Sequence, residues 1–265
     1  MLWWFISTVA AQTVGFLDGS DDYWLVDSTG PYPGDSYTVE AWVMTTDPTE
    51  SQTVLSVQHP SFGTSVFQLG YYYSGGNALW CVVTEDSLAN SMTGCENLIN
   101  NLQDGALAPA SLLSNVWVHI AVTYDAVTNR LRILEDGQEV GNYPITYTPH
   151  WNELVNPWWV GAESDDSSAN DLAINEWIGE ISELRVWSTA RDDSSIDCSK
   201  DFRLDGSEPN LLMRVSFEND ITDSTGNGFD LTAQGSATFS AGTLSITPAP
   251  LNSLTCFDYD DDGFT

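Results

Sequence analysis

Residues 37–44 read Tyr-Thr-Val-Glu-Ala-Trp-Val-Met, and two later stretches, residues 116–124 and 177–187, have the same character. In all three stretches, β-branched or aromatic residues alternate with smaller or polar ones. This alternation is typical of a β-strand with one buried face. The three stretches therefore predict an antiparallel β-sandwich.

Turn signals rich in Gly, Asp and Pro separate further strand candidates along the chain, which favours a jelly roll. The clearest predicted hairpin covers residues 130–140, where Asp136-Gly137 supplies the positive φ angles of a tight turn. No segment has a long apolar repeat with helical period. A short helix is predicted only within residues 98–113 or near residues 194–198.

The charge balance limits the possible partners. The chain has 265 residues, with 7 Lys and Arg against 38 Asp and Glu, for a formal net charge of -31, and Arg130 is its first basic residue. A field of this sign repels phosphate backbones and anionic headgroups, so we expect neither nucleic-acid binding nor membrane insertion. Calcium or a basic partner would be favoured, and a solvated acidic surface would also explain these carboxylates.

The N-terminal segment and the cysteines both indicate export. Residues 1–11 are apolar, are too short to span a bilayer and end in small residues, as in a secretory signal cleaved after Ala11. Four cysteines without a Cys-x-x-Cys pair favour two disulfides. We predict an extracellular protein with Cys81 bonded to Cys95 and Cys198 bonded to Cys256, although other pairings and unpaired thiols stay open.

Six short motifs follow one another in a characteristic order. They are residues 16–23, 37–43, 117–125, 133–137, 160–162 and 179–187. Their order resembles that of laminin G-like, concanavalin A-like jelly-roll domains. The resemblance implies an all-β fold of two curved antiparallel sheets packed face to face. It leaves function open, because this fold hosts lectins, adhesion modules and glycanases.

One feature departs from the family's order. The opening strand and turn of such domains are missing before Phe16, whereas residues 211–218 and 223–231 match them. The C-terminal piece would then close the sandwich in permuted order over residues 211–239. Alternatively, it begins a second repeat or fills a gap in a neighbouring subunit. We expect a domain over residues 12–247.

Residues 248–265 read as a linker followed by the first half of an acidic calcium loop. Alternating aspartates before a glycine supply the oxygen ligands that calcium prefers. Two other acidic clusters lie within the domain, where the resemblance implies calcium at the sheet rim. The candidate calcium ligands are Asp18, Asp21, Asp22, Asp165, Asp166, Asp171, Asp258, Asp260 and Asp262. Ordinary solvated loops are the alternative for each cluster.

Carbohydrate recognition on such folds combines an aromatic platform with amide or carboxylate groups. The candidates are Trp151, Asn152, Trp158 and Trp159. Neighbouring strand residues face opposite sides, so only one of Trp158 and Trp159 can point outward. Packing in the core is the alternative for any single tryptophan.

A glycanase would need two carboxylates that flank one glycosidic bond. The nearest match is Glu180 with Glu183, whose odd separation predicts opposite faces of a strand. We therefore predict a secreted, non-enzymatic module that binds glycan or an extracellular protein, with calcium as a possible cofactor. The alternatives are a self-assembling subunit of an extracellular filament or surface layer, and a glycanase.

Overall fold

The computed structural model describes residues 12–26, 30–58, 65–84, 105–145, 158–165 and 172–248. Two large antiparallel sheets dominate this part of the chain. They confirm the predicted all-β jelly-roll sandwich. None of the helices in these ranges has the length and apolar character needed to cross a membrane.

The first sheet has eight strands in the order β10-β9-β8-β3-β14-β1-β18, and β16 pairs with the second half of β14. Its strands are β1 (Thr13–Asp18), β3 (Tyr37–Thr45), β8 (Val118–Asp125), β9 (Arg130–Glu135), β10 (Gln138–Pro144), β14 (Ile178–Trp187), β16 (Leu211–Val215) and β18 (Thr238–Ala241). The three stretches with alternating residues thus supply most of β3, β8 and β14, which are neighbours in the middle of this sheet.

The second sheet has seven strands in the order β17-β2-β11-β4-β5-β6-β7. They are β2 (Tyr23–Val26), β4 (Gln52–Gln58), β5 (Ser65–Ser74), β6 (Asn77–Thr84), β7 (Gly105–Pro109), β11 (Trp158–Val160) and β17 (Leu231–Gln234). Two small pairs complete the described strands: β12 (Glu163–Asp165) with β13 (Leu172–Ile174), and β15 (Phe202–Arg203) with β19 (Thr247–Pro248).

A helix, α1 (Asp193–Ser199), follows β14 and confirms the short helix predicted near residues 194–198. Asp192 caps it by accepting a 2.6 Å hydrogen bond from the backbone N–H of Ser195. Ile196 packs against Ala121 and Leu134 on the outer face of the first sheet. The alternative helix within residues 98–113 is not seen in its described part, where residues 105–109 form β7.

The hydrophobic core lies between the two sheets and contains four tryptophans with little or no exposed surface. They are Trp24, Trp80, Trp158 and Trp177. Rings of this size bury far more apolar area than aliphatic side chains and dominate the energetics of a core. Much of the tryptophan content is therefore explained by packing.

All nine residues of β3 are buried, on both faces of the strand. Tyr37 and Val39 lie in the core, whereas Glu40 and Trp42 lie on the outer face of the sheet. Trp42 donates a 2.8 Å hydrogen bond to the carbonyl oxygen of Lys200, just after α1. The segment that contains α1 thus covers charged and aromatic groups that a half-buried strand would leave in water.

The covered charges form what we call the ion-pair layer. Its charged members are Glu40, Glu183, Arg185, Arg191 and Arg214, and the imidazole of His119 lies beside Glu40. Glu40 Oε1 contacts Arg191 Nη1 at 3.1 Å and Arg185 Nη1 at 3.4 Å. Glu183 binds Arg185 at 2.9 Å and Arg214 at 2.5 Å. Each buried carboxylate thus lies between two guanidinium groups, which offset its loss of hydration.

The C-terminal strands pair with strands of their own chain. β16 pairs with β14, β17 with β2, and β18 with β1. The backbone carbonyl oxygen of Asp21, in the β1–β2 turn, lies very close to Gly235. A Cβ on residue 235 would collide with this oxygen. Residues 211–241 therefore occupy sheet edges that would otherwise expose unpaired backbone groups.

The predicted hairpin of residues 130–140 is confirmed by β9 and β10. Asp136 and Gly137 have φ angles of 50° and 78°, as the tight turn requires. The Asp136 side chain accepts a 2.9 Å hydrogen bond from the backbone N–H of His119 on β8. This contact fixes the turn against its neighbouring strand and thereby orients β9.

Candidate ligand-binding groove

An open groove of about 480 Å³ lies at one end of the first sheet, beside the β8–β9 turn. We call it the arginine groove. Its lining consists of Ser36, Asp125, Thr128, Arg130, Arg132, Asn142, Thr189, Ala190 and Asp192. These residues come from four parts of the chain that only the fold brings together. Eight of the nine carry a side chain that can form hydrogen bonds.

The two arginines are placed by the alternation of β9. Arg130 and Arg132 are two residues apart and share one face of the strand, whereas Leu131 and Ile133 point into the core. Asn142 is the direct partner of Arg132 on the neighbouring strand β10. The strand pairing thus places a guanidinium and an amide side by side at the groove.

The carboxylates of the groove are engaged locally. Asp125 accepts hydrogen bonds from the backbone N–H of Val127 at 2.8 Å and from the hydroxyl of Thr128 at 2.7 Å. The hydrogen bond from Thr128 is the main cause that lowers the pKa of Asp125. Asp125 is therefore ionised at neutral pH, and its carboxylate is hydrogen-bonded within its own turn.

Asp192 is held in the same way at the start of α1. It accepts hydrogen bonds from the Ser194 hydroxyl at 2.7 Å and from the Ser195 backbone at 2.6 Å. Burial acts to raise the pKa of Asp192, but these hydrogen bonds outweigh it and lower the pKa. Asp192 is thus a second ionised carboxylate that is already hydrogen-bonded.

The two guanidinium groups differ in their partners. Arg132 forms an ion pair with Asp193 and donates a 2.8 Å hydrogen bond to the carbonyl oxygen of Arg191. Arg130 makes no ion pair and no side-chain hydrogen bond within the described ranges, although it is only partly exposed. Its donors are therefore available to a ligand.

The structure separates the tryptophans proposed for sugar binding. Trp158 is 2% exposed and lies in the core. Trp159 lies on the outer face of the second sheet, where its ring stacks on Tyr23 at a centroid distance of 4.4 Å, and it is 6% exposed. Trp151 and Asn152 lie outside the described residues. Neither described tryptophan lines the arginine groove.

The first predicted calcium cluster forms a turn. Both carboxylate oxygens of Asp22 accept backbone hydrogen bonds, from Asp18 at 2.6 Å and from Gly19 at 3.2 Å. Burial raises the pKa of Asp22, against the effect of these hydrogen bonds. Asp21 adopts a positive φ of 61° in the same turn. These hydrogen bonds hold the Asp22 carboxylate close to Asp18 and Gly19 within the turn.

The other predicted calcium ligands lie mostly beyond the described ranges. Asp165 ends β12, and its side chain is not described. Asp166, Asp171, Asp258, Asp260 and Asp262 lie outside the described residues. Within the ranges that the structure describes, no group of three or more His, Cys, Asp or Glu side chains could hold a metal ion. Calcium binding by these clusters stays a prediction.

Two of the four predicted disulfide cysteines are described. Cys81 is fully buried on β6, and Cys198 lies in α1. Neither is a free thiol. Cys95 and Cys256 lie outside the described residues, so the predicted pairings stay predictions.

The geometry expected for Glu180 and Glu183 differs in the structure. β14 carries a β-bulge between Ser182 and Arg185, where Glu183 has a φ of 51°, so strict alternation does not apply. Glu183 binds Arg185 and Arg214, whereas Glu180 accepts a 2.5 Å hydrogen bond from Ser240. The prediction of opposite faces assumed strict alternation and does not hold across this bulge, but each carboxylate has a structural partner.

The arginine groove was not predicted from the sequence. Its residues are separated by up to about 150 positions, and none forms a motif with its chain neighbours. One sequence signal was available, because Arg130 and Arg132 are the first basic residues of a strongly acidic chain. The position of the first basic residues does not by itself indicate a binding site.

Known structures share this architecture at low sequence identity. A candidate carbohydrate-binding protein from Bacteroides ovatus superposes with a TM-score of 0.61 and 16% identity, over 90% of this chain and 62% of that one. A heptameric SAP-like pentraxin from Limulus polyphemus gives 0.59 and 12%, over 89% and 97%. A leech intramolecular trans-sialidase gives 0.51 and 14%, over 69% and 26%. The chain thus spans about three fifths of the Bacteroides ovatus protein.

These likenesses concern the fold. No curated protein matches the chain in sequence. A family model matches residues 18–197, which is more than half of the chain, and its description is the concanavalin A-like lectin/glucanases superfamily. The chain therefore belongs to the concanavalin A-like lectin/glucanase superfamily.

Proposed function

We propose that this protein is a secreted, non-enzymatic carbohydrate-binding module that binds its ligand in the arginine groove. The observation that carries the proposal is the lining of the groove. It places hydroxyl, amide, carboxylate and guanidinium groups around one open cavity. A carbohydrate presents closely spaced hydroxyls that both donate and accept hydrogen bonds, and this lining offers partners of both kinds.

The structural neighbours agree with this proposal, since one of them is described as a candidate carbohydrate-binding protein. Several groove residues also lie in or beside regular elements, which hold them in place without a ligand. Arg130 and Arg132 lie on β9 and Asn142 on β10. Preorganised groups lose little conformational entropy on binding.

The electrostatics of the groove favour binding over hydrolysis. A glycosidase of the usual kind needs one carboxylic acid with a raised pKa to protonate the leaving group. Asp125 and Asp192 both have lowered pKa values and are engaged in local hydrogen bonds. They can accept hydrogen bonds from hydroxyls but are poor general acids at neutral pH.

A glycan array tests the proposed function. We expect binding to a restricted set of oligosaccharides, with Asn142→Ala weakening the hits and Gln138→Ala leaving them unchanged. Both residues are exposed on β10, but only Asn142 lines the groove. An array that stays blank with and without calcium would count against carbohydrate binding. Equal effects of the two variants would place the site elsewhere.

Several parts of the proposal rest on the sequence alone. Secretion rests on residues 1–11, and calcium dependence rests on the three acidic clusters found in the sequence. The two arms of the array, with calcium and with a chelator, separate calcium-dependent from calcium-independent binding. A protein ligand and self-assembly stay predictions, which pull-down and gel filtration test.

A further inference from the structure

We infer that the carbohydrate bound in the arginine groove carries a carboxylate, and that Arg130 is the residue that binds it. This inference rests on the proposed function and names the class of ligand. It predicts a sugar acid with a single negative charge on the unit that enters the groove.

The cations of this chain are few, and all seven lie in the described ranges. Six of them have acidic partners within 4.0 Å. These pairs are Arg132–Asp193, Arg185–Glu40, Arg191–Glu40, Lys200–Asp197, Arg203–Glu218 and Arg214–Glu183. With 38 acidic residues in the chain, a cation that has no partner is an exception. Among the residues that the structure describes, Arg130 finds no such partner, and it lines the groove.

Nearby acids do not neutralise Arg130. Asp125 is its direct partner across β8 and β9, yet its carboxylate bonds to Val127 and Thr128 and forms no ion pair with Arg130. Asp192 is directed at α1. With respect to the described part of the chain, the guanidinium therefore keeps its five donors free, in the planar arrangement that matches the two oxygens of a carboxylate.

The charge of the whole chain determines which anion fits. A net charge of -31 repels anions, and the repulsion grows with the charge of the ligand. At physiological ionic strength this field is screened beyond about 8 Å, whereas a direct contact with a guanidinium is not. The repulsion therefore weakens the binding of a monoanionic sugar acid less than the binding of a sulfated or phosphorylated polymer. The surrounding hydroxyl and amide groups then bind the sugar ring.

The test compares two oligosaccharides that differ only in their terminal unit, one ending in glucuronic acid and one in glucose. We expect calorimetry to show about tenfold or tighter binding of the acidic one, the size of a charge-assisted hydrogen bond. Arg130→Gln should abolish this preference. Arg203→Gln, the same change in net charge at a residue outside the groove, should preserve it. Since Arg130 has no ion pair or side-chain hydrogen bond among the described residues, its variant should melt like the parent protein.

Each outcome decides the inference. Equal binding of both sugars, or a preference that survives in Arg130→Gln, would overturn it and leave carbohydrate binding standing. Tighter binding of the corresponding 6-sulfated glucose would replace the carboxylate with a different ligand class. If no oligosaccharide binds in any arm, the proposed function fails together with the inference.

Discussion

Glu40 illustrates how a single residue can be stable in a position that its chemistry disfavours. Its carboxylate is fully buried on β3, and burial acts to raise its pKa. The charges of Arg191 and Arg185 outweigh burial, so the pKa of Glu40 is lowered. Its ionised form therefore stabilises the fold above pH 4.5, the value for a free glutamate, and this contribution is lost at lower pH.

His119 makes the strongest prediction at this scale. Burial lowers its pKa to about 4, despite the nearby Glu40 carboxylate 3.6 Å away. An unfolded chain takes up this proton near pH 6.5, so the folded state loses stability as the pH falls from about 6.5 to about 4. Above pH 6.5 both states are neutral and the residue contributes no pH dependence.

We therefore expect His119→Gln to flatten the pH dependence of unfolding between pH 6.5 and pH 4. Glutamine has a similar size and cannot be protonated. Urea unfolding at several pH values measures the difference. Curves for the parent and the variant that stay parallel across this range would show that His119 is not buried in its neutral form.

At the scale of elements, alternation was enough to predict the central strands, because one face of β3, β8 and β14 lies against the core. It could not predict the bulge at Glu183, since a local change in pairing leaves no mark in the hydrophobic pattern. The hairpin at Asp136-Gly137 was predictable because its turn chemistry is local.

The docking of the C-terminal hairpin makes a prediction at the same scale. Gly235 lies between β17 and β18 with a φ of 61°, and a Cβ there would collide with the backbone of Asp21. Gly228 has a φ of 85° and open space around it. Both alanine variants lose the advantage of glycine at positive φ, about 1 kcal/mol or more.

We expect Gly235→Ala to cost at least about 1 kcal/mol more free energy of unfolding than Gly228→Ala, because only the former displaces the hairpin from the β1–β2 turn. Denaturant unfolding of the two variants measures this difference. Equal costs would argue that this hairpin does not pack on its own chain.

The arginine groove is a feature of the assembled molecule, and local sequence patterns do not predict it. Ser36, Arg130, Asn142 and Thr189 meet because four strands and a covering segment are assembled in a particular order. Strand alternation predicts that Arg130 and Arg132 share a face, but not that other groups converge on them. From the sequence, the tryptophans were the stronger candidates for a sugar site, because aromatic residues are common both in cores and at sugar sites.

For the whole molecule, the net charge of -31 makes a prediction about salt. Self-repulsion destabilises a compact, highly charged chain. Raising sodium chloride from about 0.02 M to about 0.5 M shortens the screening length from about 20 Å to about 4 Å. We expect the melting temperature to rise by about 3 °C or more, which calorimetry measures. A melting temperature that falls would show that attraction between surface ion pairs outweighs repulsion.

The proposed function requires that carbohydrate binds in the arginine groove of this sandwich. Amide chemical-shift mapping with an oligosaccharide identified on the array tests it most directly. We expect the shifts to concentrate at residues 36, 128–132, 142 and 189–192 and to spare the outer face of the second sheet around Trp159. Shifts that centre on Trp159 and Tyr23, with the groove unchanged, would contradict it.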